Sequence, residues 1–542
     1  MNSRVVVLIG WLSALIVQAL QPQPPQPLGR ISFPNSGAAA PQPAFIRGVL
    51  LLHSFEYDDA IAAFREAQRA DPSFALAYWG EAMCFNQTLW YNENLAKGRE
   101  ALNRLAATAA ARQAKAPTPR EKAYLDAVER MFASGDKASR NRAYADRMAE
   151  LSRQFPDDDE AALFYALALL GTQPESGTRD TAVMTKAGEI ALGVLKKNPQ
   201  HPGAAHYALH AFDDGEHAAR GLEAARAYAK IAPASSHAQH MPSHVFLPLG
   251  MWDEAAASDE AAFATSVSLA RRKGLSAAQY DFHSLSWLQY EYLQQGRFEK
   301  ARDTMKTVEQ ALAAATVPAG PVLPAHQHVE SEIGRGYGPI SLKGELASMR
   351  ARFVVESGRW EEMKGQSSFD DVDELSALAI ASVKLGDLDR AQAAYEHLKH
   401  ARDVAPDADN KRLAQIMMAE AAGLIMVARG DPARGLAALA DGARLEAQAP
   451  RPIARPYPVK PAAELYAEAL LASGRPAEAV GQFQAALART PRRPASLIGL
   501  ARAAQAAGQR ALAVKTAREF IAMWHAADAN RSELKEAQAI AR

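Results

Sequence analysis

The sequence predicts an all-α solenoid of stacked helical hairpins, and three observations lead there. The chain has 542 residues, too many for one ordinary hydrophobic core, so several domains or a repeat array must share the burial. From Gly48 onward amphipathic helical patterns alternate with short turns, and no hairpin dipeptide flanked by alternating strand patterns interrupts them. Residues of one kind also recur at one spacing: Gly48, Ala60, Phe64, Ala67 and Pro72 early in the chain, then Ala467, Gly474, Ala479, Phe483, Ala486 and Pro491 late in it. The composition agrees, being rich in Ala, poor in aromatic residues (7%) and 48% hydrophobic, which suits closely packed helices.

Each recurring residue has a packing role. Small residues let two helices approach, Phe fills the gap between them, and Pro ends the second helix. The pattern resembles the tetratricopeptide repeat, clearly at the two copies above and diffusely over roughly residues 41–525. The resemblance implies a right-handed superhelix whose first helices line a concave groove suited to a peptide or protein partner. With the terminal Pro and the inter-helix Gly as rulers, units begin near residues 41, 75, 125, 159, 202, 236, 282, 344, 372, 416, 460 and 494. A hairpin of this size cannot bury its apolar face alone, so stability comes from stacking on its neighbours.

The chain divides accordingly. Residues 1–20 read as an export signal: Arg4, an apolar run from Val5 to Ile16, and small residues around Ala19. That run is shorter than a spanning helix requires, so no stable membrane insertion is expected after cleavage, and the location expected is periplasmic or secreted. Residues 21–44 form a Pro/Gln-rich linker. An N-terminal array with a His-rich groove covers 45–315, a Pro-, Gly- and His-rich insertion loop covers 316–343, and a C-terminal array covers 344–542. The insertion holds His326, His328 and Glu330. Charge is balanced, 61 basic against 61 acidic residues, which gives no electrostatic footprint for nucleic acid. Cys84 is the only cysteine, so intramolecular disulfides and Cys-based zinc sites are excluded. Gly-rich phosphate loops, the Gly-x-Ser-x-Gly elbow and His-Glu-x-x-His are all absent from the sequence.

The chemistry is in the histidines. Eight of the fourteen lie between His201 and His283. His206 and His210 are four apart, as are His240 and His244, and the second pair follows the first by 34 residues. Four residues return a helix to the same face, the spacing at which two imidazoles share a metal ion. An offset of one repeat places both pairs at the fifth and ninth positions of adjacent first helices. Pro242 interrupts the second pair, so a kink is expected there. His237 and His283 stand at the second position of their units, His53 at the thirteenth of the first unit, and Trp79 at a groove-facing position. Asp213 and Asp214, one turn beyond His210, can supply an oxygen ligand or orient an imidazole.

These residues point to one multi-histidine site on the concave wall. His206, His210, His240 and His244 are its first ligands, with His237 and His283 beside them, and His53, Trp79, Asp213 and Asp214 line the groove. Nitrogen ligation without thiolate suits zinc, copper or iron. Three readings stay open: a binding scaffold carrying a metal centre, a metal-dependent enzyme of oxidative or hydrolytic type, and a metal-free peptide-binding adaptor.

Overall fold

The computed structural model describes residues 27–90, 92–174, 179–316, 342–365, 371–451, 455 and 457–542. The expected export signal and nearly all of the 316–343 insertion lie outside them.

The fold is an all-α solenoid of tetratricopeptide-like hairpins. First helices begin at Gln42, Ala75, Pro119, Asp159, Pro202, Ser236, Phe282, Leu342, Val372, Ala408, Ala462 and Pro494. The two largest departures from the expected starts come from capping. Thr118 and Glu121 form a reciprocal capping box ahead of Pro119, opening that helix earlier than the small-residue ruler suggests. Asp407 caps the backbone N–H of Asn410 and does the same for the long Ala408–Ala428 helix. Two units depart from a plain hairpin. A short antiparallel pair, Asn86–Gln87 with Asn92–Glu93, separates the helices of the second, a strand the sequence pattern does not reveal. Among the described residues, the unit at Leu342 has the short 3-10 turn Trp360–Met363 in place of a second α-helix. The array ends on a capping helix, Ser532–Ile540.

Close helix approach is enforced by glycines packed on the Phe residues of the repeat pattern. A Cβ on Gly80 would lie 2.3 Å from the Phe64 ring, and one on Gly499 would lie 2.4 Å from Phe483. Phe64 and Phe483 are both fully buried; a side chain at either glycine would force the helices apart.

The superhelix is not an open trough. Residues 27–41, expected as part of an extended linker without core-forming residues, run as a strap against the first five units. Phe33 is buried, with its ring 5.3 Å from Phe45, 5.5 Å from Trp79 and 5.2 Å from Tyr124. Arg30 N–H donates to the Gln200 carbonyl at 2.8 Å, and the Ser36 hydroxyl donates to Glu121 at 2.6 Å. One buried aromatic thus anchors a stretch whose Pro/Gln composition hides it. The C-terminal units curl back on the central ones: Trp252 Nε1–H donates to the Arg492 carbonyl at 3.0 Å and Trp524 Nε1–H to that of Gln294 at 2.9 Å. Gly250 turns with φ +66°, and a Cβ there would strike the Pro491 carbonyl. Fully buried Arg493 seals this closure through Glu464, Glu356 at 2.7 Å and the Tyr290 hydroxyl at 3.2 Å.

Candidate metal centre

The histidines do not meet at one point; they form two triads. His206, His210 and His237 bring ligand atoms together, as do His240, His244 and His283. Each triad takes the fifth and ninth residues of one unit and the second residue of the next. His206 and His210 stand on the helix Pro202–Ala211, and His237 stands on Ser236–His240. The motif then recurs one unit on, with His283 supplied by Phe282–Gln294. The expected kink is present: the helix breaks at Met241 and Pro242 and resumes at Ser243–Phe246. Both break residues keep right-handed helical angles (φ −53°, ψ −31° and φ −58°, ψ −31°), so His240 and His244 stay on one face.

In the first triad His206 Nε2 lies 2.9 Å from His237 Nε2 and 3.0 Å from His210 Nε2. His206 Nδ1 lies 2.6 Å from the His53 carbonyl oxygen. That oxygen can only accept, so Nδ1 carries the proton and Nε2 presents a bare lone pair to its two neighbours. Burial holds the His206 pKa down at about 3, keeping the ring neutral. Phe55 forms the floor, stacking 5.8 Å from His210 and 5.7 Å from His237. Its φ of +59° is a strained conformation for a bulky side chain.

In the second triad His244 Nε2 lies 3.0 Å from His240 Nε2. His240 Nδ1 meets Asp259 at 2.6 Å, and His244 Nδ1 meets Asp213 at 2.9 Å. Carboxyl groups behind imidazoles are the usual means of aiming the outer nitrogen at a metal. Burial drives the carboxyls of Asp259 and its neighbour Glu291 upward, and holds the His240 ring neutral, with a pKa of about 3. Trp287 is the floor here, stacked 4.3 Å from His244.

The groove-lining residues separate into different roles. Asp213 orients His244. Asp214 instead accepts from the Glu216 and His217 backbone N–H groups and meets His217 Nδ1, so it builds a turn. Trp79 is core, not groove lining: it is fully buried, with Tyr124 at 5.3 Å and Phe164 at 5.2 Å, under the Phe33 strap. His53 is buried and acts through its carbonyl, while its ring donates to Glu160 at 2.7 Å and accepts from the Tyr207 hydroxyl at 2.9 Å. His201 donates to the other Glu160 oxygen at 3.2 Å. Burial alone would raise Glu160, but the two imidazoles outweigh it and hold the carboxyl at about 2. His53, Glu160 and His201 therefore satisfy one another and brace the first triad from behind.

Sequence reasoning missed Glu160, Asp259 and Phe55. Glu160 had a signal, since it occupies the second unit position, like His237 and His283. Gly203 occupies that position in its own unit, and a Cβ there would lie 2.3 Å from His53 Nδ1.

Fold and site together define an all-α repeat protein with polyimidazole clusters on its inner helices. No family model matches the chain, and no curated protein does. Among solved structures it is similar to the tetratricopeptide domain of P58(IPK) (13% identity, covering 87% of this chain and 99% of that one, TM-score 0.23). It is also similar to human IFIT1 bound to capped RNA (12%, 92% and 92%, 0.32) and to yeast Tom70 (10%, 87% and 89%, 0.29). At these identities and scores, what the chain does has to be read from its own residues. Among the described residues no helix is long and apolar enough to cross a membrane.

Proposed function

We propose that the chain is an exported binding scaffold that carries transition metal at two tris-histidine sites. The observation that carries this reading is His206. Its Nδ1 is committed to a carbonyl, so its Nε2 lone pair faces two other imidazole nitrogens at 2.9 and 3.0 Å. One lone pair cannot take a linear hydrogen bond from both, whereas a cation satisfies all three. Nitrogen ligands without thiolate suit copper, iron or zinc. The apolar run of residues 1–20 supports export. The alternative without metal has a protonated Asp259 donating to His240 and His240 donating to His244, the rings then serving only a peptide or protein partner.

Elemental analysis and metal titration of tag-free, chelator-treated protein test the reading. It expects two equivalents of copper per chain; no uptake of copper, iron or zinc refutes it and leaves the adaptor. A metal-dependent enzyme is the second reading, and it has its own observation: each triad supplies three protein ligands, the number at which catalytic centres keep a position open. Oxygen uptake or ester hydrolysis by the loaded protein, abolished in His240→Ala, would support it; an inert loaded protein would not.

A further inference from the structure

We propose that the two triads select different charge states of copper, the first holding univalent copper and the second divalent copper. This rests on the tris-histidine reading and adds to it what each site accepts. The difference lies in what stands behind and around the rings. In the first triad His206 Nδ1 is bonded to a backbone carbonyl, a neutral acceptor. Among the described residues no carboxyl group is hydrogen-bonded to His206 or His210. The acids of this neighbourhood are engaged elsewhere: Glu160 with the His53 and His201 rings, Glu56 with Ser235, and Asp213 with His244. Arg179 adds positive charge toward His210. The walls are aromatic and buried, with Phe55 4.3 Å from the His206 ring and Tyr228 stacked on it at 5.0 Å.

The second triad has acids against it. Asp259 meets His240 Nδ1 at 2.6 Å and is bonded in turn to Glu291, and Asp213 meets His244 Nδ1 at 2.9 Å. Asp281 caps the helix that carries His283, accepts from the Ser236 hydroxyl at 3.0 Å, and faces both His240 and His283. Against these carboxyl groups stands Arg455, held through the Ser286 carbonyl at 3.2 Å and Glu345 at 3.4 Å. Moving an ion out of water costs free energy that rises with the square of its charge, unless opposite charges meet it. A neutral, aromatic-walled pocket therefore resists the second positive charge, and carboxyl groups offset it. Carboxyl groups behind imidazoles also raise the basicity of the outer nitrogens, which favours the more highly charged ion. Of the metals that suit imidazole here, copper offers a univalent state, which zinc and iron do not.

The test uses the tag-free full chain and copper alone. Univalent affinity is read without oxygen by competition with bicinchoninate, and divalent affinity by titration followed through electron paramagnetic resonance. His240→Ala, which keeps the first triad, is compared with His206→Ala, which keeps the second, folding being checked by circular dichroism. The ratio of univalent to divalent affinity should be at least about tenfold higher in His240→Ala. The unmodified chain gives a second readout that needs neither variant. With both sites loaded, redox titration should remove the divalent signal in two steps at least about 59 mV apart, the equivalent of tenfold for one electron. Asp213→Asn should move the lower step upward and leave the upper one in place. Equal or reversed ratios, or a single step, would overturn the selection while leaving the tris-histidine sites intact. A lower step that stays in place in Asp213→Asn would overturn it too. Failure to bind copper in either state would overturn both.

Discussion

The two triads use the same repeat positions but are braced from behind by different chemistry. In the first, a backbone carbonyl accepts from His206 and fixes the tautomer outright, because a carbonyl has no proton to give. In the second, Asp259 and Asp213 back His240 and His244, and a carboxyl group can hold a proton or release it. The same solenoid thus presents a rigid ligand set beside one whose basicity depends on its acids. Repetition supplied the ligands twice; the supporting residues come from outside the repeat pattern.

The comparison is broken most severely by removing a central ring. His206→Ala should lose the first metal equivalent and keep the second, and His240→Ala should do the reverse, read by titration with elemental analysis. If either variant loses both, the triads do not load separately.

The next largest effect lies in the scaffold. Arg493→Met leaves buried Glu356 without its cation and Glu464 with Lys460 alone, and should cost about 3–5 kcal/mol in denaturant unfolding. Below its midpoint the variant should still bind both metals. A stability loss under about 1 kcal/mol would show that the closure contributes little.

A smaller change sharpens the contrast between the triads. Asp213→Asn should weaken the second site by about 10–100-fold, the usual effect of removing an outer-shell acid, and leave the first unchanged in competition titrations. Equal weakening at both would contradict the separate bracing.

The smallest effect is acidic. Burial raises Glu464, but Arg493 and Lys460 outweigh it and hold the carboxyl at about 2, below its ordinary value of 4.5. Its stabilisation is complete above about pH 4.5 and is lost as pH falls toward 2. Glu464→Gln should therefore flatten the acid limb of the stability curve over that window, measured by urea midpoint against pH. A slope matching that of the unmutated chain would rule this ionisation out as its source. Metal titrations run above pH 5 avoid the window, so any difference between the triads there belongs to the site.

Much of the fold was legible because the repeat pattern is itself a packing rule. Gly48 against Phe64 is a contact that the small-residue spacing predicts, whereas Gly80 and Gly499, which meet Phe64 and Phe483, stand at positions the spacing did not single out. Unit starts went astray where a cap such as Thr118–Glu121 outranked that spacing. The six imidazoles were visible from the 34-residue offset and the second-position histidines. Their partition into two triads was not, because it depends on the second residue of one helix facing the fifth and ninth of the helix before it. Asp259 lies on the outer helix of its unit, Trp252–Lys273, where no spacing links it to His240. Trp79 was misplaced because a single buried Phe33, set in a stretch that reads as linker, closes the groove above it.

Diffraction at the copper absorption edge, from crystals of copper-loaded protein, tests the central claim most directly. The account predicts two anomalous peaks, one within about 2.0–2.2 Å of a nitrogen from each of His206, His210 and His237. The other should be placed likewise among His240, His244 and His283. One peak shared by residues of both triads, or none, would contradict it.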